Sequence, residues 1–209
     1  MLLGPPASGK GTQAELIQKT FQIPATSTGA ILRREAKLNT SIGREADRII
    51  SKGALAPDDM VLRLVGQWLD EHDGAFLFDG FPRTFPQAVA FEQMLEARQT
   101  PLDVAIFLEM SESTIASRMA RRLTCSQCGK VVSLGRHVQS ASDRCPNCGG
   151  KLEVRSDDNH AALTLRLEEF RKKSLPLIDF YSGRDLLVKV DADQKADRLF
   201  DQISRVIKA

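Results

Sequence analysis

Short apolar runs alternate with longer segments of helical periodicity along most of the chain. Met1–Leu3, Ala75–Phe78, Val104–Leu108 and Leu186–Val190 have the length and composition of buried strands. Between these runs, apolar residues recur at three- and four-residue spacing, which is typical of helices that cover a sheet. Strands that alternate with helices in this way predict an α/β fold with a parallel sheet.

The helices are predicted from their apolar stripes and from residues that favour helix ends. They cover about residues 10–21, 27–38, 42–53, 58–69, 85–97, 112–122 and 196–207. We expect Ser27 and Asp58 to act as N-caps, because a short side-chain oxygen there accepts a hydrogen bond from a free helix N–H.

The segment from about residue 124 to residue 155 has little helical periodicity and is predicted to be an insert on this core. It contains all four cysteines, as Cys125-x-x-Cys128 and Cys145-x-x-Cys148. Two thiolate pairs on tight turns supply the four tetrahedral ligands of Zn²⁺, and a site with no open position is structural. Two disulfides, a thioredoxin-like redox pair and an iron–sulfur cluster are the alternatives. A reducing compartment disfavours disulfides, and a redox site needs only one pair.

A glycine-rich loop follows the first apolar run and leads into the first predicted helix. Its sequence, from Gly4 to Thr12, fits the phosphate-binding pattern G-x-x-x-x-G-K. The loop and helix N–H groups would face phosphate oxygens, Gly9 and Gly11 allow close approach, and Lys10 adds positive charge. The strict pattern has Ser or Thr directly after the lysine, whereas here Gly11 comes first and Thr12 follows. A chance glycine-rich turn is the alternative interpretation.

Charged residues lie directly after the strand predicted at residues 75–78. In an open parallel sheet, ligands bind at the carboxyl ends of the strands. Asp79 suits the water shell of Mg²⁺, and Arg83 suits an anionic phosphate. A helix cap and a plain turn are the alternatives for this segment. Further arginines surround the insert, namely Arg118, Arg122, Arg155 and Arg166.

Composition excludes some classes of function. Hydrophobic residues make up 42% and charged residues 27% of the 209 residues, as in soluble globular proteins. The net charge of +2 disfavours a general nucleic-acid or membrane-surface protein. The sequence shows neither a membrane-spanning apolar stretch nor a signal peptide, so we expect a cytoplasmic protein that binds no membrane.

These motifs together resemble the adenylate kinases, in their long-lid form, along nearly the whole chain. The resemblance rests on Gly9-Lys10-Gly11-Thr12, Ser27-Thr28-Gly29, Leu32-Arg33, Asp79-Gly80-Phe81-Pro82-Arg83-Thr84, Pro86-Gln87, Arg155, Asp157-Asp158 and Arg166. Gly11 followed by Thr12 is itself a feature of this family. The resemblance implies a P-loop parallel five-stranded sheet flanked by helices, with a helical AMP-binding insert and a zinc-ribbon-like lid. It implies a core of residues 1–26, 57–118 and 157–209, an AMP-binding insert of residues 27–56 and a lid of residues 119–156.

The resemblance also implies reversible transfer of a phosphoryl group from MgATP to AMP, in line and with lid closure, giving two ADP. ATP would be bound by Gly9, Lys10, Gly11, Thr12, Arg118 and Arg122. AMP would be bound by Thr28, Arg33, Gly80, Arg83, Gln87, Arg155 and Arg166. The catalytic set would be Lys10, Arg83, Arg122, Arg155 and Arg166. Asp157 and Asp158 would close the lid, Asp79 would hold Mg²⁺ through water, and the protein would be a monomer with a structural zinc.

The chain departs from the family pattern at several positions. Ala30 stands where the family has Asp after Ser-Thr-Gly, which bears on the strength of AMP binding, and Ala7 replaces a loop glycine. Arg121 occupies the position of a glycine before the lid arginine, so Arg121 is a rival of Arg122. The first strand is short by several residues, as a misplaced start codon would produce, and we expect this to affect stability more than chemistry.

Two other functions compete with this interpretation. Another nucleoside monophosphate kinase, for UMP or CMP, would keep the chemistry, but the long zinc lid disfavours it. A weakly active zinc-ribbon protein that contacts RNA is supported only by Ala7 and Ala30. The net charge of +2 and the few aromatic residues of the insert disfavour it. The favoured reaction needs no general base, because a phosphate oxygen is already a nucleophile.

Overall fold

A computed structural model describes residues 1–50, 56–154 and 160–208 of the chain. In chain order the strands are β1 (Leu2–Leu3), β2 (Ala25–Thr26), β3 (Leu77–Phe78), β4 (Ala105–Glu109), β5 (Arg122–Cys125), β6 (Val131–Ser133), β7 (Leu152–Glu153) and β8 (Leu187–Asp191). The α-helices are α1 (Lys10–Phe21), α2 (Thr28–Lys37), α3 (Ser41–Ile50), α4 (Asp58–Asp70), α5 (Phe85–Ala97), α6 (Glu112–Ala120), α7 (His160–Glu169), α8 (Pro176–Ser182) and α9 (Ala196–Lys208). A π-helical segment, Phe170–Ser174, lies between α7 and α8.

Five of the strands form a parallel sheet in the order β2-β3-β1-β4-β8. β1 pairs with β4, β4 pairs with β8, and β2 pairs with β3, all in parallel. A bridge between Leu2 and Asp79 and a 2.9 Å hydrogen bond from the Gly80 N–H to the Leu2 carbonyl join β3 to β1. The predicted α/β fold with a five-stranded parallel sheet is confirmed. Because the strands are parallel, the loops after their carboxyl ends meet along one edge.

Helices cover both faces of this sheet and bury its apolar side chains. Phe78 and Phe107 belong to one core cluster, together with apolar residues of α4, α5 and α8. Leu77 and Ile106 belong to a second cluster with residues of α1 and α9. Adjacent residues of β3 and β4 thus point to opposite faces, and this alternation fixes the register of the strands. The register in turn fixes where the loops at the carboxyl edge begin.

The strands β5, β6 and β7 form a second, antiparallel sheet in the order β6-β5-β7. These strands fall within or next to the segment predicted as an insert. The buried residues of this sheet and its loops are Leu123, Cys125, Val132, Val138, Cys145 and Leu152. A core of this size contributes little free energy of folding, so the segment needs a further source of stability.

Most of the predicted helix boundaries are confirmed. The helices α1 and α5 begin and end at the predicted residues. The Ser27 side chain caps α2 and accepts a hydrogen bond from the Ala30 N–H at 3.1 Å. The helix predicted at residues 42–53 is α3, and residues 51–55 lie outside the described part of the chain. Of the helices that the structure describes, none has the length and apolarity needed to span a membrane.

Two boundary predictions are wrong. Asp58 is not an N-cap, because Pro57 occupies that position and Asp58 is the first residue of α4. Its carboxylate instead accepts hydrogen bonds from side chains of the Thr84–Gln87 turn. The helix predicted to reach Arg122 ends at Ala120, because Arg122 enters the antiparallel sheet as the first residue of β5.

Candidate active site

The phosphate loop connects β1 to α1 at the carboxyl edge of the sheet. Its backbone takes a positive φ at Gly4 (143°), Ala7 (60°) and Gly9 (96°). A Cβ atom at Gly4 would lie 2.8 Å from the carbonyl oxygen of Leu108, so this close approach to β4 requires glycine. Ala7 adopts the left-handed region without being glycine, which costs about 1 kcal/mol of backbone strain. The first N–H groups of α1 have no intrahelical acceptor and are available to an anion.

Lys10, the first residue of α1, lies over the phosphate loop. Its Nζ atom donates to the carbonyl oxygens of Gly4 and Pro5, each at 2.8 Å, and lies 3.4 Å from the Ser8 Oγ atom. Burial of the ammonium group lowers the pKa of Lys10 to about 8, and the carboxylate of Asp79 opposes this shift. The Lys10 Nζ atom therefore lies where it could contact the oxygens of a phosphate bound by the loop.

Asp79 follows β3 and faces the start of α1. A Cβ atom at Gly11 would lie 3.3 Å from the Asp79 Oδ2 atom, so the carboxylate is almost in contact with the helix backbone. Burial raises the pKa of Asp79, whereas the positive charges of Lys10 and Arg83 lower it. A carboxylate near phosphate-binding N–H groups suits a hydrated divalent cation.

Arg83 lies on the loop between β3 and α5. Its Nε atom donates to the Gly80 carbonyl at 2.9 Å, and its side chain is solvent-exposed. A Cβ atom at Gly80, which has a φ of 67°, would lie 3.4 Å from the Lys10 Cε atom and 3.8 Å from the Arg83 Nη2 atom. The peptide bond between Phe81 and Pro82 in this loop is cis. Lys10, Asp79 and Arg83 therefore converge at one place.

Three of the residues expected to bind AMP lie on the helices α2 and α5. Thr28 is the first residue of α2 and is buried. The exposed Arg33 folds back along α2, since a Cβ atom at Gly29 would lie 3.1 Å from its Nη1 atom. Gln87 is buried in the first turn of α5, where its Oε1 atom accepts a hydrogen bond from the Arg83 N–H at 2.8 Å. Gln87 is thus directly linked to the phosphate-binding edge.

The arginines near the antiparallel sheet have distinct surroundings. Arg118 donates to the carbonyl oxygens of Ala192 at 2.8 Å, Gln194 at 3.2 Å and Ser8 at 3.4 Å. Arg118 is half-buried, and this burial lowers its pKa. Arg122 is half-buried, and its charge contributes to the lowered pKa of Lys10.

Arg121, the rival of Arg122, is the C-terminal cap residue of α6 and is exposed. The structure therefore brings Arg122 toward Lys10 and directs Arg121 to solvent. This difference favours Arg122 over Arg121 as the arginine that would reach the phosphates.

The four cysteines meet at one point of the antiparallel sheet. The Sγ atoms of Cys125 and Cys148 are 3.4 Å apart, those of Cys128 and Cys145 are 3.7 Å apart, and all four lie within 4.8 Å of one another. Tetrahedral Zn²⁺ with Zn–S bonds of about 2.3 Å requires S···S edges of about 3.8 Å. A disulfide requires about 2.05 Å. The cysteines are free thiols, and their spacing is compatible with zinc.

The thiols of this cluster are not equivalent: the Gly150 N–H is outweighed by the side chains of the other cysteines, which raise the pKa of Cys148, whereas backbone N–H groups favour the thiolate at Cys125 and Cys128. These N–H groups lower the pKa of Cys125, mainly through the N–H of Cys128, and the pKa of Cys128 to about 6, mainly through the N–H of Lys130. A thiolate is the form that a metal binds. Both cysteine turns close through matching hydrogen bonds, from Gly129 to the Cys125 carbonyl at 3.0 Å and from Gly149 to the Cys145 carbonyl at 2.8 Å.

The comparison with known proteins agrees with this geometry. Residues 2–186 match the sequence model of the family described as adenylate kinase. The chain belongs to the adenylate kinase family. It is 37% identical to the adenylate kinase of Pseudothermotoga lettingae over 210 residues, which cover 100% of this chain and 97% of that protein. The adenylate kinase of Clostridium tetani is 37% identical over 211 residues, with 100% and 98% covered. An adenylate kinase of Clostridium botulinum is 38% identical over 209 residues, with 99% and 97% covered.

Membership of the adenylate kinase family confirms the interpretation of the sequence as a phosphotransferase of the nucleoside monophosphate kinase type. The clustered cysteines support the long-lid form with a metal site. Some of the predicted site residues lie outside the described part of the chain, namely Arg155, Asp157 and Asp158. Arg166 lies in α7, and its side chain is also outside the described part. The roles of these four residues stay predictions.

The sequence alone did not predict that the Asp58 carboxylate binds the side chains of Thr84 and Gln87. The Asp58 carboxylate accepts from the Thr84 hydroxyl at 2.8 Å and from the Gln87 amide at 2.6 Å. These contacts join residues 26 and 29 positions apart. Each residue alone resembles an ordinary helix cap, and no local pattern in the sequence indicates that they meet.

Proposed function

We propose that the protein transfers the terminal phosphoryl group of MgATP reversibly to AMP and forms two molecules of ADP. The observation that supports this most strongly is the convergence of Lys10, Asp79 and Arg83 beside the phosphate loop. Two cationic side chains and one carboxylate suit the meeting point of two phosphate chains and a divalent cation. The relatives' name, adenylate kinase, supports AMP over UMP or CMP as the acceptor.

On the ATP side, the N–H groups of Gly9, Gly11 and Thr12 would bind phosphate oxygens. Lys10 would give up its hydrogen bonds to the carbonyl oxygens of Gly4 and Pro5 and would pair with the β- and γ-phosphates. The phosphates are stronger partners for the ammonium group, because their oxygens carry full negative charges. Arg118 and Arg122 would complete this side, with Arg118 stacked on the adenine of ATP. The hydrogen bonds of Arg118 to three backbone carbonyls support this role, because they hold the guanidinium plane in a fixed orientation.

On the AMP side, Arg33 and Arg83 would bind the phosphate, and Gly80 would let the phosphate approach the backbone. Thr28 would contact the nucleotide from the first turn of α2, and Gln87 would contact the adenine edge. The exposure of both arginine side chains supports these roles, because an arriving anion can reach them. Arg155 and Arg166 are proposed to contact the same phosphate.

Two metal ions belong to this proposal. Asp79 would hold Mg²⁺ through water, and the ion would supply positive charge that neutralises the phosphate oxygens. Cys125, Cys128, Cys145 and Cys148 would hold Zn²⁺. With four protein ligands this zinc site has no open position, so its contribution is folding energy for the small antiparallel sheet.

The phosphate oxygen of AMP attacks the γ-phosphorus of ATP in line, and the bond to the bridging oxygen of ADP breaks. No proton has to be removed, because the attacking oxygen is already anionic. The protein's contribution is therefore to position both phosphates and to neutralise the charge between them. The residues proposed for this are Lys10, Arg83, Arg122, Arg155 and Arg166.

We further propose the domain division implied by the family resemblance: a core of residues 1–26, 57–118 and 157–209, an AMP-binding insert of residues 27–56 and a lid of residues 119–156. Closure of the lid, locked by Asp157 and Asp158, would exclude water, which otherwise accepts the phosphoryl group. An ion pair between Lys130 and Glu15 of α1 supports contact between lid and core. We place the protein in the cytoplasm as a monomer, where its thiols would stay reduced and available to the metal.

Initial rates with MgATP and each of AMP, UMP, CMP and GMP test the proposal. We expect the highest kcat/KM with AMP, by at least about 100-fold, because a hydrogen-bonding base site rejects bases that leave its polar groups unpaired. A higher kcat/KM with UMP or CMP would overturn the assignment of the acceptor. Absence of transfer by folded protein loaded with zinc would overturn the reaction itself.

A further inference from the structure

Asp58 lies outside the set of residues assigned to either nucleotide, yet its carboxylate is bound directly to the group proposed to contact the adenine of AMP. Its Oδ1 atom accepts from the Gln87 Nε2 atom at 2.6 Å, and its Oδ2 atom accepts from the Thr84 hydroxyl at 2.8 Å. Asp58 is the first residue of α4, where the helix dipole favours a negative charge. The carboxylate is therefore held in place by two donors and by its position in the helix.

The other end of the Gln87 amide is bound as well. Its Oε1 atom accepts from the backbone N–H of Arg83 at 2.8 Å. The Arg83 backbone is itself fixed, because its carbonyl oxygen accepts from the Ser174 hydroxyl at 2.9 Å. The Gln87 side chain thus lies between an obligate acceptor, the Asp58 carboxylate, and an obligate donor, the Arg83 N–H.

These two partners permit only one orientation of the amide. If the amide turned by 180°, its oxygen would face the Asp58 carboxylate and its NH₂ group would face the Arg83 N–H. Both hydrogen bonds would be replaced by repulsive contacts between like groups, and Gln87 is buried with 5% of its surface exposed. The Nε2 atom keeps one further N–H and the Oε1 atom keeps one further lone pair for a ligand.

The fixed orientation of the Gln87 amide complements adenine. Adenine presents an amino donor at N6 beside a ring-nitrogen acceptor, which complements an amide oxygen beside an amide N–H. Hypoxanthine, the base of IMP, has almost the same shape but carries a carbonyl acceptor at position 6. The Oε1 atom, held in place by the Arg83 N–H, would face that acceptor.

We propose that Asp58 is the specificity-determining residue that fixes the amide of Gln87 in the orientation for adenine and against 6-oxopurines. It acts through Gln87, so it is a positioning residue and not a catalytic one. This inference rests on the proposed function, since it assumes that AMP binds at Gln87. It goes beyond that function by naming the group that selects between two purines of equal size.

The test compares kcat/KM for AMP and for IMP in the wild type, in Asp58→Asn and in Asp59→Asn. An asparagine at position 58 can offer either an oxygen or an NH₂ group, so it no longer dictates the direction of the amide. Asp59 is the exposed neighbour in the same first helical turn, and its substitution removes the same charge without touching Gln87.

We expect Asp58→Asn to lower the ratio of the AMP and IMP values of kcat/KM by about tenfold, through a higher KM for AMP and a lower KM for IMP. We expect Asp59→Asn to leave the ratio unchanged. An unchanged ratio in Asp58→Asn, or an equal loss for both nucleotides, would overturn the inference and leave the proposed function intact. Failure of the wild type to use AMP would instead overturn the proposed function.

Proton NMR of the wild type gives a second test that does not depend on the folding of a variant. The Gln87 side-chain amide protons, assigned by their absence in Gln87→Ala, should exchange with water at least about tenfold more slowly than those of exposed glutamines. Exchange as fast as that of exposed glutamine side chains would mean that Asp58 does not hold the amide.

Discussion

The Asp79 carboxylate lies so close to Gly11 that a Cβ atom on Gly11 would approach its Oδ2 atom to 3.3 Å. The general phosphate-loop pattern has Ser or Thr at this position, after the lysine. In this chain the carboxylate of Asp79, which follows β3, occupies the space next to the Gly11 backbone. The glycine is therefore explained by a contact across the sheet edge and not by the local backbone, since α1 is regular at this point.

Gly11→Ala tests this contact. We expect the added methyl group to displace the Asp79 carboxylate and to reduce kcat at least about tenfold, because small displacements in a positioned site are costly. The free energy of unfolding should stay equal or rise by up to about 1 kcal/mol, because alanine favours the helix. Steady-state kinetics and chemical denaturation measure the two effects.

Gly66→Ala provides the matched control for Gly11→Ala. Gly66 lies within α4, and a Cβ atom there would make only ordinary contacts, at 3.6 Å from the Met94 side chain. We expect the same gain in stability with unchanged kcat. Equal activity of the two variants would contradict the role given to the contact between Gly11 and Asp79.

The pKa of Lys10 predicts a particular pH dependence. Burial lowers this pKa to about 8 in the free protein, so kcat/KM for ATP should fall as pH rises through about 8, since that ratio reports the free enzyme. Bound phosphates stabilise the charged amine and raise its pKa, so kcat should stay level to a higher pH. A kcat/KM that stays level up to pH 10 would contradict this assignment.

The same pKa predicts the sign of a stability change. The folded value of about 8 lies below the ordinary value of 10.5, so the unfolded chain binds more protons between these two pH values. Stability of the free protein should therefore rise with pH across this window, relative to Lys10→Met. Urea denaturation of both proteins at several pH values measures the difference.

The sequence predicted those elements whose cues are local. The helices α1, which follows the phosphate loop, and α5, which shows an apolar stripe of its own, were both predicted with the correct bounds. The strands β2 and β7 were not predicted, because, unlike the equally short β1 and β3, they do not lie in a continuous apolar run. Asp58 was predicted as a cap because its true partners, Thr84 and Gln87, are distant in the sequence.

The meeting of three candidate site residues could also be predicted from the sequence. Lys10, Asp79 and Arg83 each follow a strand of a parallel sheet, so their meeting at one edge follows from the topology. Spacing favoured Arg122 as the lid arginine but left Arg121 as a rival. In the structure Arg122 begins β5, near enough to Lys10 for its charge to lower the Lys10 pKa, whereas Arg121 caps the preceding helix.

The two adjacent arginines form a matched pair for mutation. We expect Arg122→Ala to lower kcat about 100-fold or more, because a cation next to the transferred phosphoryl group stabilises the transition state. Arg121→Ala removes the same charge from an exposed position and should change kcat by no more than about twofold. A larger loss of kcat in Arg121→Ala than in Arg122→Ala would reverse the assignment.

Removal of the lid metal should affect the lid before the core. The antiparallel sheet has a small core of its own, so loss of the zinc should expose residues 122–154 to proteolysis. Trp68, the single tryptophan, is buried in α4 and stacks on His72, so its fluorescence reports only on the core. We expect chelator to accelerate lid cleavage at least about tenfold while the Trp68 emission stays unchanged at 25 °C.

Identical lid cleavage with and without chelator would contradict the structural role of the metal. A fall of the Trp68 signal at the same chelator concentration would mean that the zinc stabilises the whole chain. Metal analysis of the purified protein, with a stoichiometry near one zinc per chain, would exclude an iron–sulfur cluster as the occupant of the four thiols.

Phosphorus NMR of the protein with MgATP and AMP tests the central claim most directly, because it shows every phosphorus species at once. We predict that ATP and AMP disappear in equal amounts, that two ADP appear for each pair consumed, and that Lys10→Met, with its fold retained, is slower by at least about 100-fold. Little inorganic phosphate should form, since a closed lid excludes water. Inorganic phosphate as the main product, or equal rates for the wild type and Lys10→Met, would contradict the claim that this phosphate loop transfers a phosphoryl group between two nucleotides.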